Sequence, residues 1–327
     1  MATQAENSVA LPVPAADRDY RPLVLTPAED LKGYVLSRLG HAVLLAVTCT
    51  SVLSVLLIFI FVVREALPFL RDYSVVRFLT GSDWYPEAGQ ARFGVLAVIV
   101  GSAYVTVAAL VFAVPTGILA AVFLSDIVGF QARAWIKPVI EILAAVPSVA
   151  YGFFAVRVLA PWMQTHWGFP TGTNALNCSM VLAVMAVPTI ISVAEDSISA
   201  LGRDLREAAY SLGSTRAETI FKVVIPAAHS GIIAAVVLGM MRAIGETMVV
   251  WMASGNANQI PHPWWNLSQS IRTMTATIAG EMGETAKGSA HYGALFAVGV
   301  LLLIVTFGLN LISEALLARA RKATGRS

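Results

Sequence analysis

The stretch Gly239–Val250, GMMRAIGETMVV, places Arg242 and Glu246 four positions apart inside an otherwise apolar run. Arginine stays charged at any relevant pH, and its guanidinium presents a fork of donors suited to a tetrahedral oxyanion. A basic charge near the middle of a membrane span costs roughly 2.5–3.5 kcal/mol, so such a residue faces a bundle interior or a watery cavity. On a continuous helix Glu246 lies one turn from Arg242, on the same face. Arginine preceding glutamate is the less favourable order for a helical ion pair, so helix support is a weak motive. Contact with a passing anion, a buried ion pair and a subunit-interface contact all fit these two residues.

The elements that must position them are membrane spans. The chain has 327 residues, 57% hydrophobic and 13% charged, with a mean hydropathy of +0.72. Soluble domains run near a quarter charged, so the composition indicates an all-α polytopic membrane protein. Net charge is +2 with scattered basic residues, which gives no reason to expect a nucleic-acid partner. Cys49 and Cys178 lie far apart in or beside apolar segments and read as packed or lipid-facing thiols. The five histidines (His41, His166, His229, His262 and His291) show no metal-ligand spacing, so no metal site is expected. Asn177-Cys178-Ser179 and Asn266-Leu267-Ser268 fit the glycosylation pattern as chance matches. No His, Ser or Asp constellation supports an intramembrane enzyme, and no catalytic residue is assigned.

About 20 apolar residues cross a ~30 Å hydrocarbon core. Six segments qualify: His41–Val63, Phe93–Leu124, Pro138–Ala160, Ser179–Ala194, Ser230–Ala253 and Tyr292–Ile312. Pro115 and Gly117 should tilt or kink the second, and Pro147-Ser148 should break or bend the third. Backbone N–H groups freed at such a break can suit an anion. The implied organisation is a polar tail over 1–40, a transmembrane region over 41–316 with a long loop at 195–228, and a basic tail over 317–327. Residues 1–30 read as a disordered or interfacial tail without signal-peptide character, and Gly33–Arg38 could begin a surface helix. With the N-terminus inside, 14 of the 22 Lys and Arg fall on inside segments and six on outside loops. That asymmetry favours both termini in the cytoplasm. Trp162, Trp167, Trp264 and Trp265 fit an outer interfacial belt.

The longest inside loop contains EAAYSLGSTRAETIFKVVIP, Glu207–Pro226. Asp204 and Glu207 sit toward the N-terminal end of a short helix, where negative charge is favoured. Gly213 allows a sharp turn into a second short helix that Pro226 stops. This loop resembles the EAA loop of ABC-importer permeases: Glu207-Ala208-Ala209, Gly213 and Val223-Val224-Ile225-Pro226 keep its spacing. The resemblance implies a coupling helix docking on a separate ATPase subunit, with Glu207, Ala208, Ala209, Gly213 and Pro226 as coupling residues. GETAKGS, Gly283–Ser289, has the wrong spacing for a phosphate-binding loop. ATP and Mg are therefore expected on the partner, with no cofactor bound by this chain.

Further stretches resemble the phosphate-specific branch of these permeases, and within it the PstC type: FLTGSDWYP, VPTGILAAVFLSD, PVIEILAAVPSVAYGFFA, RAIGETM and RTMTATIAGEMGE, across roughly residues 65–316. The resemblance implies an importer of inorganic phosphate in a bacterial plasma membrane. A homologous PstA-type permease, an ATPase dimer and an extracytoplasmic phosphate-binding protein would be its partners. Arg242 would contact phosphate. Glu246 would neutralise Arg242 in the empty path, or accept the P–OH proton that fully ionised sulfate lacks. Glu141 could cap a helix, pair with Lys137 or help a gate. Arg157, near the outer end of its span, could snorkel or meet substrate, and Pro147 and Ser148 are further path or gate candidates. A sulfate or molybdate permease remains open on these residues. So does a stand-alone channel or ion-driven transporter, although such proteins need no ATPase dock.

Overall fold

The computed structural model describes residues 27–87 and 91–323. Readings made on residues 1–26 and 324–327 lie outside the described residues. The chain divides into two compact units, Met1–Phe59 and Ile60–Ser327. In the first unit α1 (Pro27–Asp72) begins, so residues 27–40 of the expected polar tail are helical. Every residue from Gly33 to Phe59 is exposed, including Leu44, Leu45, Val52 and Ile58. In water such a surface would be untenable; in lipid it is the ordinary face of a span.

In the second unit the end of α1 is followed by α2 (Val75–Thr80) and a two-residue hairpin, β1 (Trp84–Tyr85) with β2 (Arg92–Phe93), paired Trp84 to Phe93. The hairpin takes Phe93 out of the expected second span, which starts at α3 (Leu96–Val122). Helical structure continues through Pro115 into a π-helical turn, Phe123–Ile127. Next come α4 (Phe130–Ala145), α5 (Ser148–Phe154), a π-helical turn (Ala155–Leu159) and α6 (Ala160–Trp167). The fourth span, α7 (Ala175–Ser199), is longer than its apolar window because it buries polar residues. Asn174 caps it by accepting from the Asn177 backbone at 2.9 Å. Asn177 is fully buried and donates through Nδ2 to the carbonyls of Ala155 and Gly172, a structural role that its sequence pattern did not reveal.

The long loop folds as α8 (Asp204–Ser211), α9 (Arg216–Thr219), a π-helical turn (Ile220–Val224) and α10 (Ile225–Ala227). It leads into α11 (His229–Gly245), α12 (Met248–Ala253), α13 (Met274–Glu281) and α14 (Ala290–Ala323). Thus 317–323 of the expected basic tail continue a helix. Among the described residues, four helices are long and apolar enough to cross a membrane. Counting two bent pairs, Phe130–Ala145 with Ser148–Trp167 at 86° and Arg216–Ala227 with His229–Gly245 at 71°, gives six.

At the centre, α7 packs against α3 and α11. Ile190 fills the seam: a Cβ on Gly117 of α3 would fall 2.7 Å from its Cγ2, and one on Gly239 of α11 would fall 2.6 Å from its Cγ1. Small residues let helices approach closely where lipid offers no hydrophobic drive to pack them. Beyond the hairpin, Glu281 accepts from Trp84 Nε1 at 2.8 Å, Arg272 Nη1 at 2.5 Å and His291 at 2.7 Å, tying β1, α13 and α14 together.

Candidate functional site

Two breaks in the helices define the site. Val146, preceding a proline, is disfavoured in helical conformation and takes ψ 129°. Pro147 continues extended at ψ 136°, and helix restarts at Ser148, so the anticipated break of the third span is present. One turn into α5, Tyr151 donates its hydroxyl to the Leu143 carbonyl at 2.8 Å, satisfying an acceptor orphaned at the end of α4.

The second break falls within the segment expected as one continuous fifth span. Helix α11 ends at Gly245, and Glu246 is its C-cap, with ψ 131°. Glu246 accepts from the Thr247 backbone at 3.2 Å through Oε1, while its carbonyl accepts from the Thr275 hydroxyl at 3.0 Å. Glu246, with φ −72°, still stands one turn beyond Arg242, and only the chain after it leaves the helical path. They form no ion pair among the described residues; Arg242 is exposed and donates from Nη2 to the Ala144 carbonyl at 3.3 Å.

That bond brings the two breaks together. Helix α12 packs on α5, where Met252 occupies the space beside Gly152. Tyr151, Ala155, Cys178, Val181, Leu182, Val249 and Val250 form a buried apolar floor behind them. The result is a junction of interrupted helices carrying one exposed guanidinium, a half-buried carboxylate and an extended Val146-Pro147 pair.

The other candidates separate. Glu141 is exposed in the interior of α4, so it caps no helix start; Lys137 pairs with Glu195 and Asp196, each at 2.9 Å, and not with Glu141. Arg157 is exposed on the π-helical turn Ala155–Leu159 and makes no hydrogen bond or ion pair among the described residues. Glu195, buried among cations, escaped the sequence reading because Glu195-Asp196 looked like the polar end of a span. Among the described residues no cluster of three or more His, Cys, Asp or Glu is placed to hold a metal.

The loop builds the two short helices expected of it. Helix α8 opens at Asp204, three residues before Glu207; Ala209 is buried, while Glu207 and Ala208 are exposed. Gly213 takes φ +83°, open to glycine and strained for other residues. Helix α9 carries a full capping box: the Thr215 hydroxyl accepts from the Glu218 backbone, and Glu218 accepts from the Thr215 backbone at 3.1 Å. Hydrogen bonds from Lys222 and Thr215 hold the Glu218 carboxyl down to about 2. Around these helices Tyr210, Leu212 and Phe221 are exposed, Leu212 by 87%.

Residues 113–322, spanning both breaks and the loop, match the model of the family described as binding-protein-dependent transport system inner membrane component. The chain belongs to that family. As an inner membrane component of this kind it is similar to the probable ABC transporter permease protein YqgH of Bacillus subtilis, 37% identical over 252 residues, covering 77% of this chain and 81% of the relative. The phosphate transport system permease protein PstC of Mesorhizobium japonicum is 35% identical over 267 residues, covering 76% and 80%. The PstC-type resemblance of the motifs therefore extends along most of the chain. In fold, this inner membrane component is similar to a bacterial ABC transporter involved in the import of alginate. The TM-score there is 0.53 at 15% identity, covering 81% of this chain and 96% of that one. An inward-facing MetNI methionine transporter gives 0.52 at 18% identity, covering 69% and 95%. The permease is a multi-pass membrane protein with the helical architecture of ABC importers.

Proposed function

We propose that the chain is the PstC-type permease of an ATP-driven importer of inorganic phosphate, forming half of the path beside a homologous PstA-type subunit. The observation that carries this reading is Arg242: an exposed guanidinium within a span, held by one backbone carbonyl, at the meeting point of two broken helices. A cation that costs roughly 2.5–3.5 kcal/mol in lipid belongs where water or an anion reaches it. Phosphate displaces the Ala144 carbonyl and accepts from the guanidinium fork, while Glu246 accepts the P–OH proton of monohydrogen or dihydrogen phosphate. The similarity to PstC permeases supports phosphate over other oxyanions.

The chain itself performs no catalysis in this reading. ATP and Mg bind a dimeric ATPase partner, on which α8 and α9 dock through exposed Leu212, Tyr210 and Phe221. An extracytoplasmic phosphate-binding protein delivers substrate from the other side, and both termini lie in the cytoplasm. The test is ATP hydrolysis by the complex reconstituted in vesicles, with binding protein loaded with phosphate or sulfate. Stimulation by phosphate alone is expected. Stimulation by sulfate or molybdate instead would assign a different oxyanion, and failure to assemble with any ATPase would overturn the importer mechanism.

A further inference from the structure

Glu195 is 1% exposed near the loop-bearing end of α7 and serves neither the Arg242 junction nor the loop surface. Its Oε2 accepts from Lys137 Nζ at 2.9 Å; its Oε1 accepts from Ser199 at 2.9 Å and pairs with Arg133. Arg133 also donates to Ser199 at 2.9 Å, and Lys137 reaches Asp196 at 2.9 Å. Ser199 lies 3.3 Å from Ser125. The next residue, Asp126, accepts from Arg206 Nε at 2.6 Å, and its carbonyl accepts from Arg216. Arg206 precedes Glu207 in α8 and Arg216 opens α9, so both arms of the loop are fastened to the end of the second span.

Burying this carboxylate is a poor way to gain stability, because desolvation offsets much of the attraction to its cations. What the cluster supplies is a directional tie. Helix α4 buries none of its own residues, and Arg133 and Lys137 are its ion-pair links to α7. Its other end supplies the Ala144 carbonyl that meets Arg242. Polar contacts, joined at one step by the peptide link between Asp126 and Ser125, thus run from the loop through Ser199 and Glu195 to the helix that ends at the substrate junction.

We infer that Glu195 is a positioning residue that makes α4 and the α8–α9 loop move as one body, so that loop displacement carries Ala144 toward or away from Arg242. Contiguous salt-bridge and hydrogen-bond networks with two discrete arrangements are a means by which distant sites are coupled. The inference rests on the proposed docking of an ATPase at the loop.

The test uses the full complex with ATPase and binding protein in vesicles, measuring phosphate entry and ATP hydrolysis on the same preparation. Glu195→Gln is expected to retain binding-protein-stimulated hydrolysis while phosphate moved per ATP falls about fivefold or more. Lys137→Gln should act in the same direction, and Lys137→Arg should restore the ratio. If Glu195→Gln fails to assemble, the two Lys137 variants decide the matter alone. An unchanged ratio, or transport and hydrolysis falling in proportion, overturns the relay. If the unaltered complex shows no stimulated hydrolysis, the importer reading fails, and the inference resting on it fails with it.

Discussion

Arg242 and Glu246 keep their sequence spacing but belong to different local structures, one on the last turn of α11 and the other in the extended cap that ends it. The absence of an ion pair between them matters chemically, because a guanidinium held only by the Ala144 carbonyl is free to take an anion. Arg242→Gln should reduce phosphate transport about tenfold to a hundredfold, the scale of one charge-assisted hydrogen bond of about 1.5–3 kcal/mol, with normal assembly. Arg242→Lys should recover part of the loss, as a point charge without the fork. Uptake assays on purified, equally assembled complexes check both. Asn177 is a second residue whose surroundings define it. Asn177→Ala would strip a buried donor from the carbonyls of Ala155 and Gly172, and should cost about 1–3 kcal/mol, measured as a lower thermal unfolding midpoint in detergent.

Among the elements, the α3–α7–α11 seam is set by volume. Gly117→Ala drives a Cβ against Ile190 and should destabilise by about 1–3 kcal/mol. Ile190→Ala alone leaves a cavity costing about 2–5 kcal/mol. The double variant should be more stable than the sum of the two predicts, since the new methyl occupies part of the cavity; thermal unfolding of all four proteins decides this. At α9 the Glu218 carboxyl is lowered from 4.5 to about 2 by Lys222 and Thr215. A lowered carboxyl stabilises the folded loop above its unfolded value and loses that contribution as pH falls through the folded one. The cap should therefore hold at pH 5 and above and weaken from about pH 4.5 toward 2. Amide exchange in Thr215–Thr219, referenced to Glu218→Gln at each pH, should converge with the variant as Glu218 protonates.

For the whole molecule, the proposed function makes the exposed apolar side chains of the loop the docking surface for the ATPase. Leu212→Asp should abolish co-purification with the ATPase while leaving the permease's unfolding midpoint unchanged, because Leu212 is 87% exposed. The proposed topology is checked separately: in a Cys49→Ser background, Ser214→Cys and Ser82→Cys should react with an impermeant thiol reagent from opposite faces of the membrane.

Composition and apolar run length alone established a polytopic all-α protein, because backbone in lipid must satisfy its own hydrogen bonds. The third-span break was legible for a local reason: Pro147 disfavours helix at Val146. So were the loop helices, whose acidic first turn and glycine turn act over a few residues. The break at Glu246 was not, for no proline marks it, and its carbonyl is satisfied by Thr275, 29 residues away. Nor was the burial of Glu195, whose partners Arg133 and Lys137 come from another helix. Short-range sterics and hydrogen bonding are written in neighbouring residues, whereas the partner of a cap or a buried charge is known only once distant helices have packed.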